Sequence, residues 1–224
     1  MTSKYATFHH EKNSSTLQIQ FKKSNQSFLR SLVKMKTILT SSIDNTFSKV
    51  NILCSSYSSL DEFMERTKKE VGVRCLPYNT ILRMIYCLHY QEQLLEMHDL
   101  SIYTLSIEDI IVIDEWTFLC VNPNVMRPLT TLPNNNKQIV FSSPFERKTF
   151  SSPELLSIKQ LPSQISITTF YYSLASLVYF CMFSKHFDAT IISQDLNTIL
   201  YTKLYFFFKK ALVTDPNDRY LIYI

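Results

Sequence analysis

The chain has 224 residues, 46% hydrophobic and 19% charged, which is ample material for a buried core and excludes wholesale disorder. Glycine occurs once, at Gly72, so phosphate-cradling loops and dinucleotide fingerprints, which need backbone without a Cβ, are excluded. The net charge of +4 is uneven: residues 1–60 carry eight Lys/Arg against Glu11 and Asp44, giving +6 there and −2 in the remainder. Without interleaved surface aromatics, that basic front end reads as a solvated face and no nucleic-acid partner is expected.

In chain order, Met1–Asn13 holds no apolar run, so no signal peptide is expected. Leu17, Ile19 and Phe21 alternate with polar residues and predict a strand over Thr16–Lys22. Phe28, Leu29, Leu32, Val33, Met35 and Leu39 predict a helix over Gln26–Leu39, and Val50–Tyr57 reads as a second strand. Ser59 is placed to cap a helix that begins with Asp61 and Glu62 in its first turn. Pro77 then opens a long helix with Ile81, Leu82, Ile85, Leu88 and Leu95 along one side.

The apolar runs Ile110–Asp114 and Thr117–Val121 predict a hairpin. The polar, proline-punctuated segment Asn122–Ser152 reads as one extended loop, with Thr130, Thr131, Ser142, Ser143 and Thr149 as candidate phosphorylation sites. Residues 160–184 are uncharged, but Pro162 and scattered Ser and Thr restrict the continuous apolar part to about Phe170–Phe183. That length suits a buried helix, not a membrane span. A last amphipathic helix is expected from a cap at Asp195, with Leu196, Ile199, Leu200, Leu204, Phe207, Phe208 and Leu212 as its stripe. Cys54, Cys75, Cys87, Cys120 and Cys181 show no metal-ligand spacing with one another or with the five His, so they read as reduced thiols of an intracellular protein.

Four segments, in order over residues 59–224, resemble a eukaryotic-type protein kinase, and more closely the degenerate kinase-like proteins of large DNA viruses. Leu105–Asp114 is similar to Leu-Lys-Pro-Glu-Asn-Ile-Leu-Leu-Asp. Ser151-Ser152-Pro153-Glu154 resembles the Ala-Pro-Glu that closes the activation segment. Tyr171-Tyr172-Ser173-Leu174-Ala175 resembles Val-Trp-Ser-Leu-Gly in the central helix, and Asp215-Pro216-Asn217-Asp218-Arg219 resembles Asp-Pro-x-x-Arg. The resemblance implies an α+β, protein-kinase-like fold: a short, degenerate, β-containing N-lobe over residues 1–58 and a mainly helical C-lobe over 59–224. It also implies that Glu154 and Arg219 form a buried ion pair, with Ser173 and Asp215 among the fold-maintaining residues.

The same correspondence implies that the chemistry is lost. Ile102-Tyr103-Thr104 stands where the family has His-Arg-Asp, so Thr104 replaces the catalytic base. Asp109 takes the position of the metal-binding Asn, while Asn122-Pro123-Asn124 replaces Asp-Phe-Gly and puts an uncharged Asn122 where a metal carboxylate belongs. Phe170 replaces the Asp that opens the central helix. Lys22 could take the place of the phosphate-gripping lysine, but no Glu lies between Glu11 and Glu62 to pair with it.

No Gly-rich loop can be built. The expectation is therefore a pseudokinase, a binding or scaffold module for a protein partner such as another kinase or its substrate, with no ATP or Mg²⁺ cofactor and no membrane. Its expected setting is the cytoplasm, which would be the host cytoplasm or the virion if the protein is viral. The alternative is a divergent, weakly active serine/threonine kinase in which Glu108, Asp109, Asp114 and Glu115 gather around magnesium.

Overall fold

A computed structural model describes residues 5–10, 15–22, 26–35, 39–44, 46, 48–72, 74–133, 136–188 and 192–221. The architecture is α+β with antiparallel sheets. At the front, β1 (Ala6–His10), β2 (Thr16–Phe21), β3 (Leu39–Ile43) and β4 (Lys49–Leu53) form a sheet in the order β1-β2-β4-β3, with α1 (Gln26–Lys34) crossing between β2 and β3. The alternation in β2 decides its register: Leu17, Ile19 and Phe21 all face the core. The predicted helix over 26–39 stops at Lys34, because Leu39 and Ile43 belong to β3, paired with Leu53 and Val50 of β4. The single strand predicted over 50–57 is two strands, β4 and β5 (Tyr57–Ser59), in different sheets.

The body begins with α2 (Leu60–Val71). Ser59 Oγ accepts the Glu62 N–H and Glu62 accepts the Ser59 N–H, so two otherwise orphaned donors are satisfied reciprocally. Gly72 ends the helix in the left-handed region at φ 82°, with its N–H on the Lys68 carbonyl at 2.8 Å. Next, α3 (Tyr78–Glu96) starts from Pro77 and buries Ile81, Met84, Ile85, Leu88 and Leu95.

Two buried polar residues of α3 act as strand partners. Gln91 exchanges two hydrogen bonds of 2.9 Å with the backbone of Cys120, while Glu92 accepts from Ser101 and, at 2.9 Å, from the Ile102 N–H. They pin β8 (Thr117–Cys120) and β6 (Leu100–Ile102) to the long helix.

The predicted hairpin is β7 (Ile110–Ile113) with β8, and it forms a three-stranded sheet with β5. The segment 122–152 is not one loop: it contains β9 (Met126–Thr131) and β10 (Lys137–Phe141), which join β6 and β11 (Ser163–Ser166) in the order β11-β10-β9-β6. Alternation of buried Ile139 and Phe141 with half-exposed Gln138 and Val140 gives β10 its apolar face. The body is thus less helical than expected, with two sheets of its own.

After α4 (Pro153–Ser157), the central α5 (Thr169–Phe183) is buried on nearly all sides. Among the described residues no helix is long and apolar enough to cross a membrane. The last predicted helix is broken into α6 (Ile192–Asn197) and α7 (Lys203–Ala211). Tyr201 takes a left-handed φ of 61° between them, and Thr202 recaps the chain by accepting the Tyr205 N–H. Asp195 is no cap: it lies within α6 and accepts from Tyr179 and, at 2.5 Å, from Lys185. One contiguous apolar core joins the front sheet, the α3–α5 centre and α7.

Candidate functional site

The loop after β6 and the turn after β8 meet where α3 holds both strand ends, and this junction collects the sequence-predicted site residues. Thr104 is fully buried, and its hydroxyl meets Ser151 Oγ at 3.1 Å. The next amide, Leu105 N–H, donates to Ser173 Oγ at 2.7 Å, so a serine on the central helix fixes the loop from below. Ser106 Oγ donates to Asp109 Oδ2 at 3.0 Å within a short 3₁₀ turn, Ile107–Asp109.

Asn122 is fully buried and bridges the two loops. Its Nδ2 donates to Asp109 Oδ1 at 2.7 Å, and its own Oδ1 accepts the Asn124 N–H at 2.9 Å. Both oxygens of Asp109 are therefore engaged by neutral donors.

The remaining partner was not legible in the sequence. Lys148, whose side chain is 8% exposed, stands 2.5 Å from Glu108, 3.4 Å from Glu146 and 3.6 Å from Asp109. It also donates to Tyr5 Oη at 3.1 Å, and Tyr5 Oη donates to Glu146 Oε2 at 3.1 Å. Burial works against its charge, but Glu108, Asp109 and Tyr5 more than offset this and hold the ammonium above its ordinary pKa. Burial pushes the Asp109 carboxyl up, with Lys148, Asn122 and Ser106 opposing. The isolated charge trio Glu146-Arg147-Lys148, in an otherwise uncharged run from 138 to 153, was the signal available in the sequence.

A cleft of about 540 Å³ opens beside this cluster, lined by Ser106, Ile107, Glu108, Lys148, Phe150 and His186 among others. Lys148 forms part of its wall, while Asp109 lies beneath it with no exposed surface.

Glu154 and Arg219 meet as a two-pronged pair, Nη1 on Oε1 at 2.5 Å and Nη2 on Oε2 at 2.8 Å. Thr169 Oγ1 adds a bond of 2.5 Å to Glu154. The guanidinium also donates to the Val213 carbonyl at 2.5 Å and the Thr214 carbonyl at 2.6 Å, and lies 4.9 Å over the Tyr172 ring. Burial raises the Glu154 pKa, but Arg219 and Thr169 prevail and leave it below the ordinary carboxylate value. Asp215 caps the short Pro216–Asp218 turn by accepting the Asn217 N–H at 2.9 Å, and is exposed.

Other predicted residues do not converge. Lys22 is exposed just past β2, and its backbone N–H donates to the Tyr5 carbonyl at 3.1 Å. The four acids proposed to gather around magnesium are split by the length of β7. Glu108 and Asp109 precede the strand, whereas Asp114 accepts the Ser55 and Ser56 N–H groups and Glu115 pairs with Arg66 at 3.5 Å beyond it. Four strand residues span about 13 Å, too far for one ion. Among the described residues no three His, Cys, Asp or Glu side chains stand close enough to hold a metal ion together.

The arrangement is a closed polar cluster: its carboxylate is neutralised by an internal cation and its hydroxyls bond to one another. No protein-family model matches the chain, and no curated protein matches it in sequence.

Proposed function

We propose that the chain is a catalytically inactive, protein-kinase-like module that acts by binding another protein, either a kinase or a kinase substrate. One observation carries this reading. Asp109 and Asn122, which correspond to the two metal-holding positions of a kinase, are hydrogen-bonded to each other at 2.7 Å, and Lys148 occupies the charge-balancing role beside them. A cation so placed opposes divalent metal by like charge, and Thr104, spent on Ser151, offers no base. The Glu154–Arg219 pair and the Ser173 bond to Leu105 fit a body that keeps its structural ties without the chemistry. An intracellular, cytoplasmic setting is part of the same reading, supported by five free cysteines, four of them buried.

The test is nucleotide binding by the purified chain. ATP with Mg²⁺ should leave the melting temperature where ATP alone or buffer leaves it, and no γ-phosphate should reach a generic serine/threonine substrate. A magnesium-dependent rise in melting temperature, or transfer abolished by Asp109→Ala, would establish the weakly active kinase instead. The cleft beside Glu108 is the feature that favours that second reading.

A further inference from the structure

Of the ten large apolar side chains that stand exposed among the described residues, four fall between residues 200 and 220: Leu200, Tyr201, Phe206 and Tyr220. They surround α7, whose inner face is settled: Leu204, Phe207, Phe208 and Ala211 are buried. At about 100° per residue, the opposite arc of the helix runs Tyr205, Lys209, Phe206, Lys210, Lys203, with aromatics and ammonium groups interleaved.

Ring contacts make the arc continuous. Tyr201 lies 6.3 Å from Tyr205, and Tyr205 lies 5.1 Å from Phe206. Lys209 and Lys210 lie over the Tyr205 and Tyr220 rings at 5.5 and 5.0 Å. Residues 200–212 contain three lysines and no acid.

The backbone adds an independent observation. Tyr201 sits at φ 61°, a region that an aromatic L-residue occupies only under strain, and the residue is 78% exposed there. A strained residue whose large apolar side chain is presented to solvent points to a surface used for contact. Tyrosines on a fixed turn and helix suit protein recognition, because they offer contact area at low entropy cost and a hydroxyl for bonding.

We infer that this arc is a docking surface for an acidic segment of a partner protein, one that sets apolar side chains beside Asp or Glu. Charge complementarity selects the partner: three lysines at the rim attract carboxylates, and the rings between them supply the apolar contact. The inference takes from the proposed function only that the partner is a protein.

The experiment presents the purified chain to a displayed library of random peptides and counter-screens with Phe206→Ser and the double variant K209E/K210E. These side chains lie on the arc opposite the buried face, so melting temperatures should match wild type. The expected outcome is enrichment of peptides that combine Asp or Glu with Leu, Phe or Tyr, bound about tenfold more weakly by either variant and weakened by salt. No enrichment, enrichment without acidic bias, or binding indifferent to the substitutions would overturn the inference. So would capture by phosphatidylserine vesicles that the same variants abolish while no peptide binds. No arm involves nucleotide, so loss of the kinase-like reading and loss of this surface are distinguished.

Discussion

Lys148 donates to the Tyr5 hydroxyl at 3.1 Å and lies 5.4 Å over its ring, so one lysine joins the first described residue of the front sheet's leading edge to the acids of the body. The same ammonium answers Glu108, Glu146 and Asp109, which makes it the charge centre of the candidate site.

Removing that centre should expose the dependence. Lys148→Met leaves Asp109 buried without its cation and should destabilise the fold by about 3 kcal/mol, read by urea unfolding. Adding Asp109→Asn removes the stranded carboxylate. The double variant should therefore be more stable than the sum of the single losses predicts. Strict additivity would mean that Lys148 and Asp109 are not coupled.

The two sides of the Glu154–Arg219 pair should behave unequally. Glu154→Ala strands a guanidinium that cannot shed its proton and should cost about 3–5 kcal/mol. Arg219→Met should cost less, because Glu154, 15% exposed, can take up a proton. The Glu154 pKa lies below its ordinary 4.5 in the folded state. Its contribution is therefore present above that value and lost as pH falls through the lower, folded one. Acid unfolding curves should show this loss in wild type but not in Glu154→Gln.

Glu92 has the opposite sign. Burial first, with the nearby Glu96 adding to it, raises its pKa from 4.5 to about 8 despite bonds from Ser101 and Ile102. The folded state keeps a proton that the unfolded chain releases above 4.5, so stability is greatest below that value and is lost as pH rises toward 8. The slope should reach about 1.4 kcal/mol per pH unit. Glu92→Gln keeps the acceptor for Ile102 and should flatten this dependence; an unchanged slope would place the titration elsewhere.

Ser173→Ala should cost about 1–3 kcal/mol, since the Leu105 N–H is buried and has Ser173 Oγ as its acceptor. Ser173→Thr keeps the oxygen, so any loss it shows reports crowding, not the missing bond. Equal losses in both variants would argue against the hydrogen bond.

Elements with local signals were readable. Ser59 with Glu62, Pro77, and the paired runs around Asp114 each state a cap, a start or a turn within a few residues. What escaped depends on distant partners. Pairing to β6 and β11 makes Met126–Thr131 and Lys137–Phe141 strands, while Pro128 within β9 and Pro123, Pro133 and Pro144 around the two make the segment read as loop. The apolar stripe from Leu196 to Leu212 keeps helical spacing across a break at Tyr201, because both pieces bury their faces in one core. At the site, Thr104, Asp109 and Asn122 were placed by resemblance, yet neither composition nor spacing could say that Asn122 would turn onto Asp109. Lys148 lies about forty residues away from Glu108 along the chain, beyond the reach of any short pattern.

Among the described residues, five other than glycine adopt left-handed backbone: Asp99, Asp114, Glu115, Ser184 and Tyr201. Each bears a local cost of roughly 1–2 kcal/mol that glycine would remove. Yet each glycine forgone also narrows the wandering of the unfolded polymer, which favours folding by about 0.4–1 kcal/mol per position. At these five bends the local cost is the larger, so the scarcity of glycine lowers stability at the turns and recovers part of it from a denatured ensemble that has less freedom to lose.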